Sequence, residues 1–564
     1  MCLRVRWATV IRMNIQEELA KIFKGELDVS EESREFYSHD ASLFELKPEV
    51  IGFPKDAEDI KNTVKFVNQY KAQYPELSIT PRSRGTDMSG AAIGQSILLD
   101  ISKYMNKLHE VTDTSAHVQP GILFRDFDKA TEEKGSLLPS YPASRDMASV
   151  GGMVNNNSGG EKSLEYGKTD KYVTELKVVL SDGNEYTLCP LNRDELNAKM
   201  GQDDFEGNLY RQTFELLEAN YDEIQAAAPK VSKDSTGYHL WNVWKRDTGI
   251  FDLTQLFVGG QGTLGIVTDV KLRLVKRRGH SGLLILFLKS TTELGQLIPK
   301  VLESKPATFE SFDDQTLWLS IRFMPSFLKM LGPVRFIKLL LSLVTTGVQL
   351  LRGVPKLILM VEFNGESEAE VRQKVQELHR KLGKHRARYE INGFEEAPTE
   401  GKSEKFWVMR RYSFQILRSK VKDKHTAPYI DDFIVPPEHL PEFLPQLQAI
   451  IKKYKLFATI AGHMGDGNFH VIPLMKIEDP AERAKLEPSQ REVNELVLKY
   501  GGSISGEHND GMVRGPWLEQ MYGVSMLGHM KDIKHLYDPQ NIFNPKKKTD
   551  ADWDFSFKHI REHF

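Results

Sequence analysis

The chain has 564 residues, 27% of them charged and 40% hydrophobic, which is the make-up of a soluble globular protein of about two to four domains. A net charge of -3 and a pI near 6.6 argue against a nucleic-acid binder. Cys2 and Cys189 are too few for a disulfide framework, a cysteine zinc site or a cysteine-ligated iron–sulfur cluster, and they fit a reducing cytoplasmic setting.

In chain order, Met1 to Met13 is basic and apolar. Its uncharged run, Trp7 to Ile11, is too short for a secretory core, and Met13 is the expected true start. No run reaches the roughly 20 apolar residues that span a bilayer. Residues 14–47 read as a polar helical lead-in. A strand (Glu49 to Pro54), a helix (Ala57 to Tyr70) and a strand (Leu77 to Thr80) follow. They lead into Pro81-Arg-Ser-Arg-Gly-Thr-Asp-Met-Ser-Gly90 and another strand, Ser96 to Ile101. A loop rich in Gly, Ser and Arg after a strand either presents backbone N–H groups to a pyrophosphate, with Arg82 and Arg84 adding charge, or is a surface turn.

A second such stretch runs from Pro139 to Gly160 and contains Ser149-Val-Gly-Gly-Met-Val-Asn-Asn-Asn-Ser-Gly-Gly160. Gly and Asn tolerate left-handed backbone, so this density suggests main chain moulded to a ligand. Val173 to Leu180 and Glu185 to Leu188 read as a hairpin. Leu253 to Val258, Gly259 to Gly265 and Ile266 to Val275 read as strand, glycine loop, strand. Gly260-Gln-Gly-Thr-Leu-Gly265 fits a dinucleotide fingerprint, but a strand-like run follows where a helix must open, and position 285 holds no acid. Gly167-Lys-Thr169 is no P-loop, because its first glycine would fall at Lys162.

Residues 279–500 read as a separate α+β unit with strands Gly282 to Leu288 and Lys356 to Phe363. Within it, Ile321 to Val361 carries six basic residues and no acidic one around an apolar core. That pattern fits a segment lying on a membrane surface, and equally a buried helix pair or a dimer contact. Arg410 and Arg411, beside Tyr412, offer a fork for a carboxylate.

The strongest local signal is Ala461-Gly-His-Met-Gly-Asp-Gly-Asn-Phe-His470, flanked by strand-like runs. With Asp466-Gly467 as a type I′ turn, His463 faces His470, and two facing imidazoles can grip one metal ion. A third ligand must come from elsewhere, and Gly506-Glu-His-Asn-Asp-Gly511 is the best candidate. From Gly501 the chain reads as helical and polar, and Lys546 to Lys548 as a solvated tail.

Residues 48–278 resemble the PCMH-type FAD-binding domain of the vanillyl-alcohol-oxidase superfamily. The resemblance rests on Pro81 to Gly90, Ser149 to Gly160 and Gly260 to Thr268, three motifs in the family's order. It implies an α+β fold: two α+β subdomains around FAD, an α+β cap with antiparallel sheet at 279–500, and a C-terminal segment, 501–564, returning to the flavin. It implies FAD contacts from Arg82, Ser83, Arg84, Gly85, Thr86 and Ser89, then Pro142, Ser149, Gly152, Asn156 and Ile266. Thr86 and Asp87 stand where covalent relatives carry His, so the flavin is expected to be non-covalent. Gln261 replaces the family's usual Glu.

The His463–His470 and Glu507–His508 motifs are similar to the D-2-hydroxyacid dehydrogenase branch of that superfamily. The likeness implies His463, His470 and Glu507 as ligands of a divalent metal, commonly zinc. It also implies His508 as the base, Asn468 against the substrate, Arg410 on its carboxylate, and Asn544 near the flavin ring. Ile430 stands where the 2-hydroxyglutarate enzymes have Lys, and Asn509 replaces the usual Gly. The implied reaction is oxidation of a D-2-hydroxy acid (D-lactate, glycolate or D-2-hydroxyglutarate) to the 2-oxo acid. Electrons would pass to a quinone, an electron-transfer protein or a partner subunit, in the cytoplasm or at its membrane face. The rival readings are a flavin-fold transferase like alkyl-dihydroxyacetone-phosphate synthase, and an FAD-binding relay without turnover.

Overall fold

A computed structural model describes residues 14–314, 353–399, 401–410 and 424–562. Three sheets organise the chain. The first joins parallel strands Val50–Phe53, Ile97–Asp100 and Ile79–Arg82, with Glu26–Asp28 antiparallel at the edge. The helix Ala57–Tyr70 packs on it, opening at Asp56, whose carboxylate accepts from the Glu58 and Asp59 N–H groups. Its buried side chains, Ile60, Thr63, Val64 and Val67, recur at three and four residues and so share one face.

The second sheet is antiparallel, in the order Leu108–Val111, Ser115–Val118, Ile266–Arg273, Val173–Val179, Glu185–Leu188. Val270 and Leu272 face the core while Asp269 and Lys271, alternating with them, are partly exposed, the pattern of a sheet wetted on one side.

The third sheet has eight strands. Ile391–Ala397, His280–Leu288, Leu357–Gly365, Thr308–Asp313, Phe457–His463, Asn468–Met475 and His425–Thr426 follow in order, and Phe433–Ile434 also pairs with Asn468–Met475. Leu357–Gly365 is buried throughout. Alternate residues go to two cores. Leu359 and Val361 join helices Leu294–Leu302, Glu368–Gly383, Leu440–Lys453 and Leu486–Lys499, while Ile358 and Met360 meet Phe406, Trp407 and Met409.

Several expectations change. Residues 14–47 hold two short helices, Ile15–Ala20 and Glu31–Tyr37, around the edge strand Glu26–Asp28. Leu253 to Val258 is no strand, because Asp252 accepts from the Thr254 N–H at 3.0 Å and starts the helical turn Thr254–Phe257. The glycine- and asparagine-rich stretch is partly helical, with Val150–Asn156 opening at Ser149. Most of the basic apolar segment 321–361 lies outside the described residues, as do Arg411 and Tyr412. Its last five residues, 357–361, are buried strand and not surface. The lysine run is no solvated tail either: Lys547 is 2% and Lys548 0% exposed. Lys548 Nζ meets Asp510 Oδ2 at 2.6 Å and Asn509 Oδ1 at 2.7 Å, a pairing that burial requires. Among the described residues no helix is long and apolar enough to cross a membrane.

Candidate active site

The histidine hairpin forms with a different register. His463 opposes Asn468, and Ala461 opposes His470, so the loop is Met464 to Gly467 rather than two residues. A type I′ turn needs positive φ at both central residues, and Gly467 (φ 72) has it while Asp466 does not. The Asp466 side chain is engaged instead, by the Ser232 hydroxyl at 2.7 Å. A shift of two residues preserves side-chain parity, so both histidines still share a face, with ring centroids 5.4 Å apart.

What joins them is Glu507. Its Oε1 lies 3.2 Å from His463 Nε2 and 3.2 Å from His470 Nε2, with His508 Nε2 at 3.8 Å. Three imidazoles from two distant motifs thus converge on one carboxylate oxygen. Each ring is held from behind. His463 Nδ1 is 2.5 Å from Glu310 Oε1, His470 Nδ1 is 3.1 Å from Asp431 Oδ1, and His508 Nδ1 is 2.8 Å from Asp431 Oδ2. Lys233 Nζ meets the other Glu507 oxygen at 3.0 Å.

The loop carrying Glu507 and His508 is fixed by Asp432. Its carboxylate accepts from the backbone N–H of Glu507 (2.9 Å) and of His508 (2.7 Å), from Ser505 Oγ (2.6 Å) and from Asn468 Nδ2 (3.0 Å). Asp432 and Asn509 both hold left-handed backbone, φ 69 and 65. Asn509, standing where a glycine was expected, closes the loop on the flavin half by donating to the carbonyls of Gly259 and Asn156. Asn468 is fully buried and gives its amide hydrogens to Asp432 and the Phe433 carbonyl, which makes it a support of the site. Arg410 lies 3.2 Å from Glu310 Oε2, on the far side of the His463 partner.

Four buried carboxylates, Glu310, Asp431, Asp432 and Glu507, surround the three rings. Burial works against a charged imidazole, but Asp431 and then Glu507 overcome it and push His470 up to about 10. His463 and His508 are raised for the same reason, by Glu310 and by Asp432 with Asp431. Burial alone would raise Glu507, yet Lys233, His463 and His470 hold it well below the usual carboxylate range. Such a cluster favours positive charge at its rings, whether from protons or from another cation. Among the described residues the donor atoms of Asp432, His470, Glu507 and His508 all lie within 4.8 Å of one another; this set has Asp432 and His508 where His463 was expected, although His463 Nε2 reaches the same Glu507 oxygen at 3.2 Å. Imidazole nitrogen with carboxylate oxygen suits a divalent transition metal, so the residues fit one.

A cavity of about 730 Å³ opens directly on this cluster, with Glu507 and His508 in its wall. Arg82, Ser83, Arg84, Gly85, Thr86, Pro142, Ser149, Gly152, Asn156 and Ile266 all line it. Gly85 (φ 63) lets the first loop fold over Arg82, since a Cβ there would lie 2.2 Å from the guanidinium. Arg82 itself donates to the carbonyls of Tyr37, His39 and Ala92, which leaves Arg84 as the more available charge of the pair. Ser89 and Asn544 stand behind the lining. Ser89 accepts from Gln261 Nε2 at 3.0 Å, and Asn544 donates to the carbonyls of Ala91 and Gln261.

Sequence reasoning missed Glu310, Asp431, Asp432 and Lys233 as members of the cluster. A signal existed for the aspartates: two adjacent carboxylates inside the apolar run Tyr429 to Val435 must find buried partners. Lys233, in a polar stretch, carried none.

Two family descriptions match the chain in sequence, "FAD binding domain" over residues 48–188 and "FAD linked oxidases, C-terminal domain" over residues 279–548. The chain belongs to the FAD-linked oxidases. It is 26% identical to D-2-hydroxyglutarate dehydrogenase of Pseudomonas putida, over 93% of this chain and 50% of that protein. It is 26% identical to glycolate oxidase subunit GlcD of Bacillus subtilis, over 95% of this chain and 97% of that one. The chain spans about half the length of the Pseudomonas putida relative and of the Escherichia coli one, but 91% of the D-2-hydroxyglutarate dehydrogenase of Stutzerimonas stutzeri, to which it is also 26% identical. In fold it is similar to p-cresol methylhydroxylase, with a TM-score of 0.64 at 15% identity, covering 95% of this chain and 96% of that one. The α+β, PCMH-type reading is thereby met. The cavity loops up to Asn156 fall in the FAD-binding match, and the histidines, Glu507 and Asn544 fall in the C-terminal one.

Proposed function

We propose that this FAD-linked oxidase oxidises a small D-2-hydroxy acid, of the D-lactate, glycolate or D-2-hydroxyglutarate class, to the 2-oxo acid. The observation that carries the reading is the junction: Glu507 and His508 belong both to the metal-ligand cluster and to the wall of the flavin-sized cavity. FAD held there non-covalently supplies the acceptor for the hydride leaving the substrate Cα, and a divalent cation, zinc for preference, supplies a Lewis acid at the hydroxyl oxygen. His463, His470 and Glu507 are the proposed ligands. Arg82 to Thr86, Pro142, Ser149, Gly152, Asn156 and Ile266 are the proposed flavin contacts, with Ser89 and Asn544 bracing them.

His508 takes the hydroxyl proton at Nε2, while its Nδ1 lies 2.8 Å from Asp431 Oδ2 on the other side of the ring. Asp432 and Asp431 raise His508 against its burial, which favours the charged ring, and a cation beside Glu507 would oppose that charge. Arg410, held by Glu310, is the proposed anchor for the substrate carboxylate. We read residues 48–278 as the flavin domain, 279–500 as the substrate domain and 501–564 as a segment returning to the flavin. Electrons leave to a quinone or an electron-transfer protein, and the chain works in the cytoplasm or on its membrane face.

The test is an anaerobic screen of hydroxy acids against flavin absorbance. D-Lactate, glycolate or D-2-hydroxyglutarate should bleach the bound flavin, and the L-enantiomers should not. A flavin that stays oxidised with all of them would refute the reading.

A further inference from the structure

A second cluster of metal-binding character lies on the antiparallel five-stranded sheet. His109, His117 and Asp269 come from three adjacent strands, Leu108–Val111, Ser115–Val118 and Ile266–Arg273. His117 Nε2 is 2.5 Å from Asp269 Oδ1, and His109 Nε2 is 3.3 Å from Asp269 Oδ2. The two rings lie 4.5 Å apart at 36°. The donor atoms of all three fall within 4.8 Å of one another, and the side chains are 36%, 30% and 14% exposed.

Local strand irregularity supports the convergence. His117 pairs with Lys271 on one side, and Asp269, two residues from Lys271, shares its outward face. On the other side the register slips between Leu108 and Glu110, so His109 is the extra residue of a β-bulge opposite His117. A bulge re-aims a side chain at the cost of a ladder bond. The nearest competing cation, Lys271, is paired with Glu175 at 2.9 Å.

We propose that His109, His117 and Asp269 form a second divalent-metal site, separate from the cluster at Glu507 and open to solvent on one side. Ligands about 2.0–2.1 Å from a tetrahedral Zn²⁺ stand roughly 3.3 Å apart, so the 2.5 Å contact of His117 with Asp269 must open by under about 1 Å while the three donors, all within 4.8 Å, close on one ion. Two imidazoles and one carboxylate suit Zn²⁺, Cu²⁺ or Ni²⁺ over Mg²⁺ or Ca²⁺, and water completes the shell. A metal there ties three strands together without touching the cavity.

Equilibrium dialysis of the FAD-loaded, chelator-treated chain against Zn²⁺ tests this. The expected result is one equivalent lost in His109→Ala with His117→Ala, and one equivalent retained in His463→Ala with His470→Ala. Asp269→Asn should weaken binding at the same site at least tenfold, and Co²⁺ titrated into the His463→Ala, His470→Ala protein should give visible absorption bands that the His109 and His117 variant lacks. Retention of flavin absorbance reports that each variant is folded. An unchanged Zn²⁺ stoichiometry in folded His109→Ala with His117→Ala overturns the proposal, as does a Co²⁺ spectrum insensitive to it.

Discussion

Asp432 shows how much of a site can hang on one buried side chain. It is not in the wall of the cavity of about 730 Å³, yet it satisfies four donors that set where Glu507 and His508 sit. Asp432→Ala strands those donors and leaves neighbouring imidazolium charge uncompensated, so we expect a loss of about 3 kcal/mol or more. Urea denaturation of the two proteins measures it, and metal retention should fall in parallel. The rings themselves predict a pH dependence. In the metal-free chain the folded pKa of His470 is about 10, above its ordinary value of 6.5. A raised folded pKa contributes stability that is fully present below about 6.5 and is lost as pH rises through about 10. Thermal melting of chelator-treated protein should therefore show falling stability across that window. A metal-loaded sample should be flatter there, because metal binding releases the same protons.

At the scale of elements, the hairpin shows what sequence can and cannot specify. Strand flanks and a reversal ending at Gly467 were legible, because β-branched runs and a Gly needing positive φ are local properties; the two-residue turn expected at Asp466-Gly467 is instead the four-residue loop Met464 to Gly467. The register was not, because it depends on Val435, Phe309 and Ser232 closing on the loop from other parts of the chain. Parity rescued the functional inference: a two-residue slip leaves both histidines on one face. Gly467→Ala should be severe, since a Cβ would lie 1.9 Å from the Val435 carbonyl and φ is 72. We expect about 3 kcal/mol of destabilisation and loss of bound metal, read by calorimetry and elemental analysis. The lysine run erred the other way. Charge alone looked like a solvated tail, and only the distant Asp510 makes burial of Lys548 tolerable.

Over the whole molecule, the flavin half and the eight-stranded sheet meet where the Asn156 side chain donates to the Glu507 carbonyl at 2.8 Å. The three glycine-rich loops that wall the cavity were legible as motifs, because close main-chain approach restricts residue type. The buried supports Glu310 and Lys233 were not, because their meaning comes only from tertiary contact. We propose that the His508 ring, beside Asp431 at the cavity wall, removes the substrate hydroxyl proton, with bound flavin supplying the hydride acceptor. Stopped-flow flavin reduction under anaerobic, metal-replete conditions tests it, comparing the native chain with FAD-loaded His508→Asn. We expect reduction by the hydroxy acid to slow by roughly 10²–10⁴-fold with FAD still bound. An unchanged rate in that variant would contradict the assignment.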